Sequence, residues 1–297
     1  MTRLLVVRLS ALGDVIHAIP AVVSLRDSFD EIHWVVERPY AELVEIVAGV
    51  TPIPVRLKKW SREAIKDARK NVKGFDVAID FQGLLKSALL TRASGARDRY
   101  GFSRRAVREK PAALFYNHKV DVDQTQHVVD WNKQLAAAVG DRQLSSTADW
   151  KAFPPNAHAR LTQFTNSIVL LPGAGRPEKL WPVERFRDLV ARYRDTVVVP
   201  GPGERAIAEQ IGGPIAPDTN LRELAFVLQH AKIVIGGDTG PLHLADALGT
   251  RVVGLYGPTD PRRNGPYNQP GRTIKADSMD EISAAEVIRK IEEVLAK

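Results

Sequence analysis

Asp14 stands in "LSALGDVIHAIPAV", residues 9–22, between a small-residue turn and an apolar helix. Aspartate is a favoured helix cap, which is one reading. The other is a general base. A carboxylate at the carboxyl end of a first strand, with Ser10 and His17 nearby, can take the proton from an acceptor hydroxyl. In the second reading, Gly13 lets the backbone turn so that Asp14 faces a substrate.

The longest stretch with chemistry in it is "KIVIGGDTGPLHLADALGTRVVGLYGPTDP", residues 232–261. A buried strand ends in Gly236-Gly237. Asp238 and Thr239 follow, and Gly240-Pro241 open a helix, since proline suits a first helical turn. The free N–H groups and dipole of such a start form an anion site, with His243 one turn in. The bland alternative is Asp238 as a cap and His243 as a core residue. "LLPGAGRPEKLWP", residues 170–182, is a second glycine-rich loop after a strand. Its Lys179 either meets the same phosphate as a point charge or is simply exposed. In "VVVPGPGERAIAEQI", Gly201, Gly203 and Ala206 formally match the dinucleotide fingerprint G-x-G-x-x-G/A. The match is weak, because a strand precedes it within the same half and Pro202 offers no N–H to a pyrophosphate. Glu204 at that helix start either accepts ribose hydroxyls or only complements the dipole.

These loops need strands to end on and helices to begin. "LLVVRL", "IHWVVE", "TPIPVRL" and "FDVAIDF" read as strands, separated by helical stretches near 14–28, 40–48, 61–72 and 84–93. A second series, "SIVLLP", "TVVVPG", "KIVIGG" and "RVVGLYG", follows a polar Pro-Pro segment at 146–161 that reads as a linker. Helical stretches separate these strands too, and the amphipathic "SAAEVIRKIEEVLAK" ends the chain. Alternation of this kind gives an α/β fold of two tandem, doubly wound, Rossmann-like parallel-sheet domains, 1–150 and 151–297. Such pairs hold ligands in a cleft at the carboxyl ends of their sheets.

At 297 residues, 44% hydrophobic and 26% charged, the chain is long enough for two cores and too apolar to be disordered. It has no cysteine, which excludes disulfides, thiolate nucleophiles and cysteine-ligated zinc. Arg8 interrupts the first apolar run, so "MTRLLVVRLS" does not read as a signal peptide. No run approaches the roughly 18 apolar residues of a membrane span, and a soluble protein is expected. The net charge of +7 calls for an anionic partner or a solvated basic face. Lys86, Arg92, Arg97, Arg99, Arg104, Arg105, Arg108, Lys110 and Lys119 face only Asp98 and Glu109 in their segment. Lys58, Lys59 and Arg62 surround Trp60.

Seven segments in order, "RLSALGDVIHAIPAV", "DFQGLLKSALL", "REKPAALFYNHKV", "QTQHVVDWNKQLAAAVG", "KLWP", "GGDTGPLHLADALG" and "LYGPTDP", resemble the lipopolysaccharide heptosyltransferases, glycosyltransferases that use ADP-heptose. "DFQGLLKSALL" and "REKPAALFYN" favour the type I branch over type II. The resemblance implies a GT-B fold and an inverting, metal-independent transfer with no cofactor. The first domain takes an anionic lipid A–Kdo acceptor and the second takes the ADP-heptose donor. It makes Asp14 the general base. It assigns Lys179, Asp238, Thr239, Gly240 and His243 to the donor diphosphate, and Glu204 to the ribose or adenosine. "PGAG" stands where the family carries a Thr-containing loop, so Ala174 and Gly175 are expected to act through their backbone. "RLKKWSR" resembles the family's acceptor segment, with lysines in place of arginines; Ser10, Gly13, Lys58, Lys59, Arg62 and Arg105 are the implied acceptor contacts. A cytoplasmic protein visiting the inner-membrane surface through its charge is the matching location.

The alternatives within enzymes are a type II or other ADP-sugar transferase, a sugar-nucleotide epimerase on the same architecture and, from the fingerprint, an oxidoreductase. A nucleic-acid binder is the alternative from another class. The basic residues lack an interleaved series of stacking aromatics, so no nucleic-acid partner is expected.

Overall fold

The computed structural model describes residues 1–57, 62–139, 150 and 158–296, with the backbone alone for 62–65 and 67. Two compact units divide the chain, Met1–Lys151 and Ala152–Lys297. The linker expected at 146–161 falls mostly outside the described residues, as do Lys58, Lys59 and Trp60. Of Arg62 only the backbone is described.

The first unit runs β1 (Arg3–Val7), α1 (Leu12–Val23), β2 (Glu31–Glu37), α2 (Ala41–Glu45), β3 (Thr51–Val55), α3 (Arg62–Asn71), β4 (Val77–Asp80), α4 (Leu85–Ala93), β5 (Asp98–Phe102), β6 (His118–Val120) and α5 (Val128–Ala137). All pairings are parallel, in the order β3-β2-β1-β4-β5-β6. Sheets covered on both faces want continuous apolar strands, and β1 is buried at Leu4–Val7. Leu5, Val7, Val35, Val55, Ala68, Val72 and Leu90 join in one core on a face of the sheet. α5 lies along α1, pinned where Asn132 Nδ2 donates to the His17 carbonyl at 3.0 Å. The helix expected to run to residue 28 stops at Val23, with a separate 3₁₀ turn at Arg26–Ser28.

The second unit runs β7 (Ile168–Leu171), α6 (Val183–Arg192), β8 (Thr196–Val198), α7 (Arg205–Ile211), α8 (Leu221–Gln229), β9 (Ile233–Gly237), α9 (Gly240–Ala247), β10 (Val252–Tyr256), α10 (Pro261–Asn264), β11 (Thr273–Lys275) and α11 (Ala284–Leu295). Its sheet is also parallel, ordered β11-β10-β9-β7-β8. α11 buries Val287, Ile291 and Val294 in the core with Trp181, Phe186 and Ile235. Each unit is therefore doubly wound, and each has one place where the order reverses: β1/β4 in the first and β7/β9 in the second. Ligands of open parallel sheets bind outside the strand ends at such switch points.

Strands β5 and β6 and helix α5 had no counterpart in the strand and helix reading. β5 is "DRYGF", polar or half-buried for three of its five residues, and β6 is "HKV" with two exposed. They lack the apolar run that marks a buried strand.

Candidate functional site

At the first switch point the chain leaves β1 through Arg8–Ala11, and β4 leaves through Phe81–Gln82. Gln82, 3% exposed, clamps the neighbouring turn. Its Oε1 accepts from Leu9 N–H at 2.8 Å and Ser10 N–H at 3.2 Å, and its Nε2 donates to the Ser10 carbonyl at 3.0 Å. Gln82 is in turn oriented by Asp80, whose Oδ1 accepts the N–H groups of Gln82 (2.7 Å) and Gly83 (3.1 Å). Tyr116 closes the other side, its hydroxyl donating to Asp80 Oδ2 at 2.7 Å. Burial pushes the Asp80 carboxyl upward against these hydrogen bonds. The Tyr116 phenol is raised far beyond its usual range, by burial first and then by Asp80.

Asp14 is not the cap of α1. The N-cap is Ala11, and Asp14 is the third helical residue; its carboxylate reaches back to Ala11 N–H only at a long 3.4 Å. Gly13 is already helical, so the chain reversal expected of it is made earlier, by Leu9–Ala11. The strong partner of Asp14 is Arg8, whose Nη2 lies 2.7 Å from Asp14 Oδ2. The Arg8 side chain is 9% exposed and that of Asp14 34%. Arg8 Nη1 donates to the Phe81 carbonyl, so the guanidinium is fixed from the β4 side before it meets the carboxylate. The Arg8 guanidinium and the Ala11 N–H both meet Asp14 at Oδ2. Glu37, at the end of β2, is buried and accepts Leu57 N–H at 3.1 and 3.2 Å. Burial first, then the charges of Glu37 and Asp14, raise the Tyr40 phenol above its ordinary 10.0.

The basic segment 86–119 does not lie on one edge. Lys86, Arg104, Arg105, Arg108 and Lys110 sit toward the carboxyl ends of β4 and β5, the side that carries Asp14. Arg92, Arg97 and Arg99 lie at the amino ends, because α4 and β5 carry the chain across the sheet. Arg99 is spent on backbone carbonyls, those of Phe115 at 3.0 Å and Ala96 at 2.7 Å. Arg105 is exposed on the turn after β5, two strands from β1 and so roughly 10 Å across the sheet.

At the second switch point Asp238 is the hub. Its Oδ2 lies 2.6 Å from Lys179 Nζ, while its Oδ1 meets His243 Nε2 at 3.1 Å and accepts from Asn264 Nδ2 at 2.7 Å. Burial alone would push this carboxyl up. His243 and then Lys179 outweigh it and hold the group well below the carboxylate range. The bland alternative for Asp238, a helix cap, is therefore not what it does. Thr239 is the N-cap of α9, makes no side-chain cap bond, and has a buried Oγ1 without a partner. Behind it, Gly240 and Leu242 present the helix-start N–H groups. Nor is Lys179 merely exposed: its side chain is 20% exposed and paired. Gly237 permits this, since a Cβ there would stand 3.2 Å from the Lys179 carbonyl.

Ala174 and Gly175 lie on the loop after β7, beside this pair in the sheet order. Glu204 is brought to the same loop. Its Oε2 accepts Gly201 N–H at 2.6 Å, and a Cβ on Gly173 would fall 1.9 Å from the carboxylate. The fingerprint glycines thus belong to β8, last in the sheet order, and the loop there folds around the Glu204 carboxylate. Among the described residues no three His, Asp or Glu are gathered so as to hold a metal ion.

Several residues of these sites carry no clear signal in the sequence, among them Arg8, Gln82 and Asn264. Arg8 read as an interruption of an apolar run and Gln82 as part of a resemblance. Asn264, 26 residues beyond Asp238, carries no local signal.

The Glycosyltransferase family 9 (heptosyltransferase) profile matches residues 67–287. Lipopolysaccharide heptosyltransferase 1 of Salmonella typhimurium is 31% identical over 315 residues, covering 97% of this chain and 99% of that protein. The solved E. coli heptosyltransferase WaaC with ADP superposes with a TM-score of 0.85 at 28% identity, covering 99% of this chain and all of that one. The E. coli enzyme with ADP-2-deoxy-2-fluoro heptose gives 0.80 at 26% identity, with 98% and 99% covered. With two parallel-sheet units, a paired carboxylate at one switch point and a charged helix start at the other, the chain belongs to glycosyltransferase family 9, the heptosyltransferases.

Proposed function

We propose that this glycosyltransferase moves heptose from ADP-heptose to a Kdo residue of a lipid A–Kdo acceptor, with inversion and without a divalent metal. The observation that carries the reading is the full-length likeness to a lipopolysaccharide heptosyltransferase 1, joined to the chemistry at the two switch points. Asp14 Oδ1 takes the proton of an acceptor hydroxyl, whose oxygen attacks the anomeric carbon from the face opposite the phosphate. The bond from that carbon to the phosphate oxygen breaks, and ADP leaves with the electron pair. Lys179 and the N–H groups at Gly240 and Leu242 meet the charge on the departing diphosphate, with Thr239 Oγ1 as a further donor and His243 beside them. Ala174 and Gly175 contact the diphosphate through their backbone. Glu204 accepts ribose hydroxyls through Oε1, since Oε2 is committed to Gly201.

The acceptor's carboxylates and phosphates are met by Arg105, with Arg104 and Arg108 beside it on the carboxyl edge, by Ser10 and Gly13 in and after the β1 turn, and by Lys58, Lys59 and Arg62. The protein works at the cytoplasmic face of the inner membrane, held there by charge. Among the described residues no helix is long and apolar enough to cross a membrane.

The deciding experiment pairs Asp14→Asn with transfer from ADP-heptose to a delipidated, Kdo-bearing acceptor, scored by product mass with and without EDTA. Wild type should transfer equally in both, and Asp14→Asn should lose about 10²-fold or more in kcat. Near-normal transfer by Asp14→Asn would remove the base, and loss of activity in EDTA restored by magnesium would remove the metal-free scheme.

A further inference from the structure

Three large hydrophobic side chains are exposed among the described residues: Met1, Leu85 at 40% and Leu114 at 76%. The last two belong to elements that pack on each other, α4 and the 3₁₀ turn Lys110–Phe115. The inner faces of this pair are clear. α4 buries Ser87, Ala88, Leu90 and Thr91, and the turn buries Ala112 and Ala113. Helical spacing leaves Leu85, Leu89 and Arg92 on the outward side of α4, with Lys86 beside them; Lys110 and Leu114 face outward on the turn. The acid of this surface, Glu109, turns its carboxylate to Leu85 N–H at 2.6 Å, where the start of α4 offsets its charge. The result is three leucine side chains set among lysine and arginine.

We infer that this outer face of α4 and the 110–115 turn is the surface by which the protein docks on an anionic phospholipid bilayer. Leucine side chains enter the headgroup boundary, while Lys86, Arg92 and Lys110 lay their stems along it and put their charges at lipid phosphates. A stable protein partner would need roughly 800 Å² on each side, and three partly exposed leucines are too small a core for that. Each basic residue near an anionic surface adds attraction that salt screens, and each buried leucine adds attraction that salt does not. The inference rests on the lipid-linked acceptor proposed above, for which it supplies the membrane-facing side.

The test is co-sedimentation of the full chain with phosphatidylethanolamine–phosphatidylglycerol vesicles and with phosphatidylcholine vesicles, in the absence of donor and acceptor. Wild type should pellet with the anionic vesicles, much less with the neutral ones, and in part resist about 0.5 M salt. The double variant L85S/L114S should partition about ten- to hundredfold more weakly. Its melting temperature and its transfer to a water-soluble acceptor should stay as in wild type. The inference is overturned if the double variant binds as tightly as wild type, if wild type ignores anionic vesicles or binds neutral ones equally, or if the substitutions change the oligomeric state in lipid-free buffer. Intact vesicle binding with no transfer to any Kdo acceptor would instead refute the proposed reaction and leave the docking face standing.

Discussion

Arg8→Met removes the group that holds Asp14 and keeps most of its volume. Two interactions go: the 2.7 Å contact to Asp14 Oδ2 and the bond to the buried Phe81 carbonyl. A hydrogen bond to a charged group contributes about 1.5–3 kcal/mol, and a third of the Asp14 side chain is in water, so the lower half of that range applies. Loss of the donor to Phe81 adds about 1 kcal/mol. Together these amount to about 2.5–3 kcal/mol of stability, tolerable for a unit of this size. The kinetic effect is the sharper one. Without Arg8 the carboxylate can rotate and present either oxygen, and a misplacement of about 1 Å costs on the order of 10²-fold. The expected kcat is therefore about 30–100-fold below wild type, with the acceptor KM within about threefold, since Arg8 is buried and its guanidinium is bonded to Asp14 and the Phe81 carbonyl. Arg8→Lys retains the charge but lacks the fork that reaches Phe81 and Asp14 together, so it should recover part of the loss, to about tenfold below wild type. Steady-state ADP release at varied acceptor concentration separates the two parameters, and thermal melts report folding. A folded Arg8→Met enzyme with kcat within twofold of wild type would refute the positioning role. So would Arg8→Lys performing no better than Arg8→Met.

Gly173→Ala should push the Glu204 carboxylate off the loop, because the new Cβ would lie 1.9 Å from it. The side chain can swing outward, so the melting temperature should hardly move while ADP binds about five- to tenfold more weakly. Calorimetric titration of G173A, E204A and the double variant should show that the losses do not add; additive losses would mean the two residues act separately. Asp238 has its pKa depressed from 3.8 in the fold, so its stabilisation is complete above that value and fades as pH falls toward the folded pKa. The melting-temperature gap between wild type and Asp238→Asn should be widest at neutral pH and narrow below about pH 4. A gap that stays constant from pH 7 to 3 would contradict this account.

What was legible in the sequence is what burial makes repetitive. "KIVIGG" and "RVVGLYG" become β9 and β10, buried along their lengths, and the loops after such strands can be found by counting. Thr239 as a helix start and Pro241 in its first turn were readable from local stereochemistry. Partners distant in sequence were not. Gln82 serves a turn 72 residues earlier in the chain, and Asn264 serves a carboxylate on a different strand end; neither leaves a periodic trace. Charge totals misled in the same way. Arg99 counts as a surface cation in the composition, yet its guanidinium bonds to the backbone carbonyls of Phe115 and Ala96.

At the donor site proposed above, the Lys179–Asp238 pair gives the lysine its own counter-ion. An incoming anion must exchange with a carboxylate that is already in place, bonded and largely shielded from water. Inorganic phosphate or chloride, offering nothing beyond charge, gains little by that exchange. A diphosphate attached to a nucleoside brings contacts elsewhere in the unit that can offset it. With the donor diphosphate proposed for this site, the pair would act as a filter against small inorganic anions and would leave the lysine positive and positioned for a nucleotide.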